Sequence, residues 1–127
     1  FTVAHLDDAG AGSLRAAVAA ANANPGADTI RFAPGLNGTI GLTSGTLVVT
    51  GPLTVEGPGA AQIALQGNGA PILRADGFSG ATLSVRGLAF QGGGAPGAGG
   101  GAVDLVAASA TFAECLFADN ADSALLA

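Results

Sequence analysis

Apolar and polar positions in the second half of the chain alternate in short runs, and the runs recur. LSVRGLAFQGG (Leu83 to Gly93) and ATFAECLFADN (Ala110 to Asn120) lie 27 residues apart and carry apolar residues at the same four places. These are Leu83, Val85, Leu88 and Phe90 in one, and Ala110, Phe112, Cys115 and Phe117 in the other. Alternation over four or five residues marks a half-buried strand, so each copy reads as two short strands meeting at a bend. LTVEG (Leu53 to Gly57) and QIALQGN (Gln62 to Asn68) form an earlier copy if Pro58 to Ala61 is a loop inserted at the bend. A third strand precedes each pair, as TLVVT (Thr46 to Thr50), PILRA (Pro71 to Ala75) and AVDLV (Ala102 to Val106). Three short strands per repeat with glycine-rich corners predict an all-β chain, a right-handed parallel β-helix of about three coils.

A strand of about five residues cannot bury its apolar face alone, but coils stacked at roughly 4.8 Å bring the same inward position into line turn after turn. Val55, Val85 and Phe112 are then expected in one internal column, and Leu65, Phe90 and Phe117 in another. Corner glycines Gly57, Gly67, Gly87 and Gly92 are read as sites of backbone angles that a side chain would forbid. Outward positions align as well, which sets Glu56 over Arg86 and Arg74 beside Asp104 as charge pairs between coils. Exposed opposite charges on neighbouring strands contribute at most about 1 kcal/mol, so their use is as a marker of register.

The N-terminal segment has a different period. Ser13 is a good helix N-cap, and LRAAVAAANAN after it sets Leu14, Ala17, Val18 and Ala21 at helical spacing before Asn24, Pro25 and Gly26 stop it. An open β-helix end exposes a hydrophobic floor and unpaired strand edges, and a short amphipathic helix is suited to cover them. The expected organisation is a single domain over 1–127. Within it, 1–45 form the cap and first coil, completed by strands at Phe1 to Leu6, Asp28 to Phe32 and Thr39 to Leu42. Residues 46–122 form the coils, and Ser123 to Ala127 begin a further one at an open end. An open end calls for more chain or a partner, and a start at Phe1 without Met fits a processed chain or an excised fragment.

Composition narrows the partners. Of 127 residues 49% are hydrophobic and 10% charged, which is not a disordered composition. The mean hydropathy of +0.52 is high, yet no window approaches the 18 or so apolar residues of a membrane-spanning helix. Net charge is −5, and four scattered Arg (Arg15, Arg31, Arg74, Arg86) supply no basic stripe. Nucleic acid is therefore excluded as a partner, and membrane insertion with it.

Candidate chemistry is sparse. Single Cys115 and His5 fall short of a zinc site; Cys115 reads as a small buried hydrophobe, and His5, beside Asp7 and Asp8, as an exposed loop residue. A lyase would need carboxylates clustered for calcium with a Lys or Arg base, and a hydrolase two or three converging acids. Here the charges pair off instead. Catalytic, cofactor and metal residues are accordingly expected to be none. Thr54, Ser84 and Thr111 share an outward column that resembles the hydroxyl ladders of ice-binding β-helices, although hydroxyl-bearing strand faces are common. The glycine run Gly92 to Gly101 lacks the lysine of a phosphate loop and reads as a flexible corner insertion.

The opening TVAHLDDAGAGSLRAAVAAANANPGADTIRF resembles the N-terminal coil of bacterial surface and secreted parallel β-helix proteins of the pectate-lyase-like superfamily, over roughly residues 1 to 70. Gly100-Gly101-Ala102-Val103 and Phe117-Ala118-Asp119-Asn120 are similar to repeats of polymorphic outer-membrane adhesins. The resemblance implies an extracellular or cell-surface protein that serves as a stalk, adhesin or display scaffold. The expected function is a non-catalytic structural module, a rigid stalk or a subunit stacking end to end on copies of itself or on further coils. The alternative is a carbohydrate-binding or polysaccharide-degrading domain acting on a host or carbohydrate surface through an outer face. It requires Glu56, Asp104, Glu114 and Asp119 to converge within about 4 to 6 Å.

Overall fold

A computed structural model describes residues 1–24, 26–76, 82–93, 102–106, 109–118 and 125–126. Thirteen strands and one helix are present among them. β1 (Thr2–Val3) precedes α1 (Leu14–Ala23), and the remaining strands then follow three to a turn. The first turn is β2 (Asp28–Phe32), β3 (Gly38–Gly41) and β4 (Leu47–Val49); the second is β5 (Leu53–Glu56), β6 (Ile63–Gln66) and β7 (Leu73–Asp76). The third is β8 (Thr82–Arg86), β9 (Ala89–Gln91) and β10 (Val103–Val106); the fourth is β11 (Ser109–Ala113), β12 (Leu116–Ala118) and β13 (Leu125–Leu126).

Strands of equal rank stack into three parallel sheets, ordered β1-β2-β5-β8-β11, β3-β6-β9-β12 and β4-β7-β10-β13. The chain is a parallel β-solenoid of four turns, one more than the alternation alone counts. The three alternating coils are preceded by the turn expected within the cap, whose strands at Asp28 to Phe32 and Thr39 to Leu42 correspond to β2 and β3.

Register carries the inward residues into columns. In the first sheet Ile30, Val55, Val85 and Phe112 are successive Cα partners, and in the second Ile40, Leu65, Phe90 and Phe117 are. Leu47, Leu73 and Val103 form the third. The column of Leu53, Leu83 and Ala110 begins at Asp28, a buried carboxylate that accepts a hydrogen bond from the Asn24 side chain. Side chains fill the interior: the space left among Leu14, Val18, Leu65 and Phe90 is about 10 Å³, room for at most one water and too apolar to hold it.

α1 closes the N-terminal end, packing on β1, β2 and β4 with Leu14, Ala17, Val18 and Ala21 buried. Ser13 caps it in extended conformation, accepting from Ala16 N at 3.1 Å and donating to Gly10 O at 2.7 Å. Both bonds are made inside the fold, since Ser13 is fully buried.

The corner glycines divide into two kinds. Gly87 and Gly92 adopt φ of 69° and 65°, which L side chains avoid. Gly57 and Gly67 do not have positive φ, which corrects their reading from sequence; a Cβ on either would lie 2.4 Å from a carbonyl oxygen across the corner. Gly57 is needed for close approach to Gly87 of the next turn, and Gly67 for approach to Ala70 within its own corner and to Gly93 of the next turn.

Candidate functional site

Three regions bring polar or exposed groups together: the outer face of the first sheet, the seam at the helix end, and the last turn. On the first sheet, Thr29, Thr54, Ser84 and Thr111 are successive partners, so the hydroxyl row has a fourth member at Thr29. Two positions along runs a charged row of Arg31, Glu56 and Arg86. Glu56 and Arg86 are register partners, but Glu56 meets Arg31 at 3.4 Å and Arg86 meets Glu114 at 3.3 Å. Likewise Arg74 and Asp104 are partners in the third sheet, while Arg74 reaches Asp76 on its own strand at 3.5 Å. The alignment of both charge pairs read from sequence is present, and the correction concerns the ion pairs themselves, which are made with other acids. Long arginine side chains lean along or across the strands, and an acid two positions along or on the opposite neighbour competes with the one directly opposed.

The acids of the carbohydrate reading are distributed. Glu56 lies on the first sheet, Asp104 on the third and Glu114 at a corner of the last turn, at φ 54°. Asp119 lies outside the described residues, as do Asn120 and positions 94–101 of the glycine run. Among the described residues no group of three His, Cys, Asp or Glu is placed to hold a metal ion. His5 braces its own loop: Nδ1 accepts from Asp7 N at 3.2 Å, and Nε2 lies 2.7 Å from Ala11 O. The Asp7 carboxylate lies 3.6 Å from the same Nδ1.

The helix seam is a built polar junction that the sequence pattern did not disclose. Arg15 donates to Asp8 Oδ1 at 3.0 Å, to Asp8 O at 3.2 Å and to Gly45 O at 2.7 Å. The Ser44 hydroxyl donates to the other Asp8 oxygen. The Ser44 bond, joined by the Arg15 guanidinium, holds the Asp8 carboxyl down from its ordinary 3.8 to about 2. Further along α1, Asn22 Nδ2 donates to Val48 O at 2.8 Å and Thr50 N donates to Asn22 Oδ1 at 3.1 Å. A cleft of about 190 Å³ between α1 and β4 is lined by Arg15, Asn22, Thr46 and Val48. Its polar groups are engaged, with Thr46 donating to Pro71 O at 2.6 Å.

The last turn is less covered. Val85 and Phe90 are each 1% exposed. Their partners one turn on, Phe112 and Phe117, are only partly buried, as is Cys115, and Leu116 is 54% exposed. Phe117 stacks on Phe90 at 5.0 Å and Phe112 meets both edge to face. The Cys115 thiol lies between Ala113 O at 3.3 Å and Val85 O at 3.6 Å. No family model, curated protein or solved structure matches the chain.

Proposed function

We propose that this chain is a non-catalytic structural module of a bacterial extracellular or cell-surface protein, a rigid β-solenoid finished at one end and open to further strands at the other. One observation carries the reading. The inward columns of the first two sheets run through all four turns, are closed at the helix end by Leu14 and Val18 at 2% and 3% exposure, and among the described residues lose cover at the last turn, where Ala110, Phe112 and Phe117 are partly buried. In a solenoid each turn is stabilised by its neighbours, so a turn covered on one side is the place for the next layer. The extracellular assignment is supported by the resemblance of residues 1 to 70 to secreted β-helix proteins.

The test is labelling of intact producing cells with an antibody to this domain. Label on intact cells, or protein in the medium, is the expected result. Label that appears only after lysis overturns the surface reading.

A further inference from the structure

Asparagine is a thermolabile residue, and most so before glycine, whose main-chain nitrogen has no Cβ beside it to obstruct attack on the preceding carboxamide. Of the five asparagines two precede glycine, in Asn37–Gly38 and Asn68–Gly69. Asn24 precedes proline, which has no N–H to give up, and the Asn22 carboxamide is held by Val48 O and Thr50 N. Asn120 precedes alanine and lies outside the described residues. The two Asn-Gly pairs start from the same chemistry, and both side chains are exposed. What differs is the hold on the glycine nitrogen.

Asn37 leads into β3, and Gly38 N donates to Gln62 O of the next turn at 2.8 Å, the first rung of the ladder between β3 and β6. Leu6 lies over this position, since a Cβ on Gly38 would stand 2.9 Å from Leu6 Cδ1. Freeing Gly38 N requires β3 to part from β6 beneath that side chain. Asn68 and Gly69 instead occupy the corner between β6 and β7. Their φ values of 51° and 84° are both left-handed, and Ala70 N donates to Gly67 O at 3.1 Å, so they are the central pair of a type I′ turn. Gly69 is itself exposed, and among the described residues nothing lies within 4 Å of a Cβ added to it. Its nitrogen is held by a bond to Gly92 O of the next turn at 3.1 Å. Breaking that bond undoes no strand pairing, and exposed corners open at the low end of local stability while strand ladders open higher.

We propose that Asn68 is a modification site, deamidated by water in the folded chain without an enzyme, and that the β3 ladder spares Asn37. In the first step Gly69 N gives its proton to solvent base, and its electron pair forms a bond to Asn68 Cγ. The bond from Cγ to Nδ2 breaks, and that nitrogen takes up a proton and leaves as ammonia. Water then opens the five-membered imide. Attack at Cγ restores the original peptide link and leaves aspartate; attack at the main-chain carbonyl carbon leaves isoaspartate, with the peptide running through Cγ. Nothing is oxidised or reduced, and either product adds one negative charge to a chain of net charge −5. The aspartate fits the corner, because Asp tolerates left-handed φ as Asn does.

The experiment is a time course on the whole chain at mildly alkaline pH, folded and in concentrated urea, with peptide mass mapping of both sites. With each folded rate divided by the rate of the same site in urea, Asn68 should convert at least about tenfold faster than Asn37, as an exposed corner opens more readily than a strand ladder. Equal ratios, Asn37 ahead, or no conversion at Asn68 overturns the proposal. Amide hydrogen exchange tests the cause: the Gly69 N–H should exchange at least about tenfold faster than the Gly38 N–H, and equal exchange overturns control by these two bonds. Asn68→Gly keeps the left-handed corner and removes the carboxamide, so the acidic species that accumulate in folded wild type should be lost on isoelectric focusing. Acidic species forming at the wild-type rate in that variant overturn the assignment to Asn68. Intact-cell labelling is independent of all these outcomes, so the surface reading and the modification site fail separately.

Discussion

Gly57 and Gly87 face each other across one corner of adjacent turns so closely that a Cβ on either would meet the other's carbonyl oxygen, at 2.4 Å from Gly57 and 2.5 Å from Gly87. The hydrogen bonds Gly57 N to Arg86 O at 2.7 Å and Gly59 N to Gly87 O at 2.9 Å hold this approach. The obstacle is backbone, which cannot swing aside as a flexible side chain does. Gly57→Ala should therefore cost about 1–3 kcal/mol, the range of overpacking. Gly51→Ala is the control, since nothing lies within 4 Å of its added carbon and its φ is not positive. It should be neutral or stabilising by up to about 1 kcal/mol, through the unfolded chain. Urea unfolding midpoints of the two variants decide the matter.

Asp8 links the cap to the first turn through Ser44 and Arg15, and its carboxyl is held down from 3.8 to about 2. A depressed carboxylate contributes stability that is fully present above its unfolded value. That contribution is lost as the pH falls from about 3.8 towards 2. Wild type minus Asp8→Asn, compared by thermal unfolding across this window, should show a difference that is constant above pH 4 or so and shrinks below it. A difference independent of pH would mean that the junction does not act through the Asp8 charge.

The Ser13 side chain is buried and makes two hydrogen bonds, so its removal takes the acceptor from Ala16 N, while Gly10 O keeps the Ser13 main-chain N–H at 3.1 Å. Ser13→Ala should cost about 1–2 kcal/mol, the upper part of the range for a lost N-cap. Ser13→Thr keeps the hydroxyl and should retain most of the stability unless its methyl finds no room. Equilibrium denaturation of both variants separates loss of the cap from crowding.

The solenoid was legible in the chain because one rule, an apolar residue at every second position, acts on each strand and is then copied by stacking. Where the rule is weak the reading fails. β3 has Ile40 as its one large apolar residue, so the first coil, though placed within the cap, was not aligned with the later copies, and Thr29 was not read as the head of the hydroxyl row. Register is a property of backbones and is visible as spacing, whereas ion pairs are chosen by side chains with several acids in reach; Arg86 takes Glu114 rather than Glu56 for that reason. The seam residues were hidden by a different cause. Asn22 bonds main-chain atoms of β4, and Asp8 reaches Ser44, 36 residues away. Neither contact leaves a periodic trace, and an exposed helical asparagine looks like any other solvated position.

Phe90 and Phe117 stack at 5.0 Å with an interplanar angle of 9°, and among the described residues Phe90 has strand partners on both sides and Phe117 on one. Phe90→Ala should cost about 3–5 kcal/mol, as for a fully buried aromatic ring. Phe117→Ala removes a ring that is partly in water already, so its cost in dilute solution should be about 1–2 kcal/mol, in proportion to the area it hides. Urea unfolding of the wild type and both variants measures the difference directly. Equal costs would mean that the last turn hides Phe117 as fully as the third hides Phe90, against the partial burial of the one and the full burial of the other.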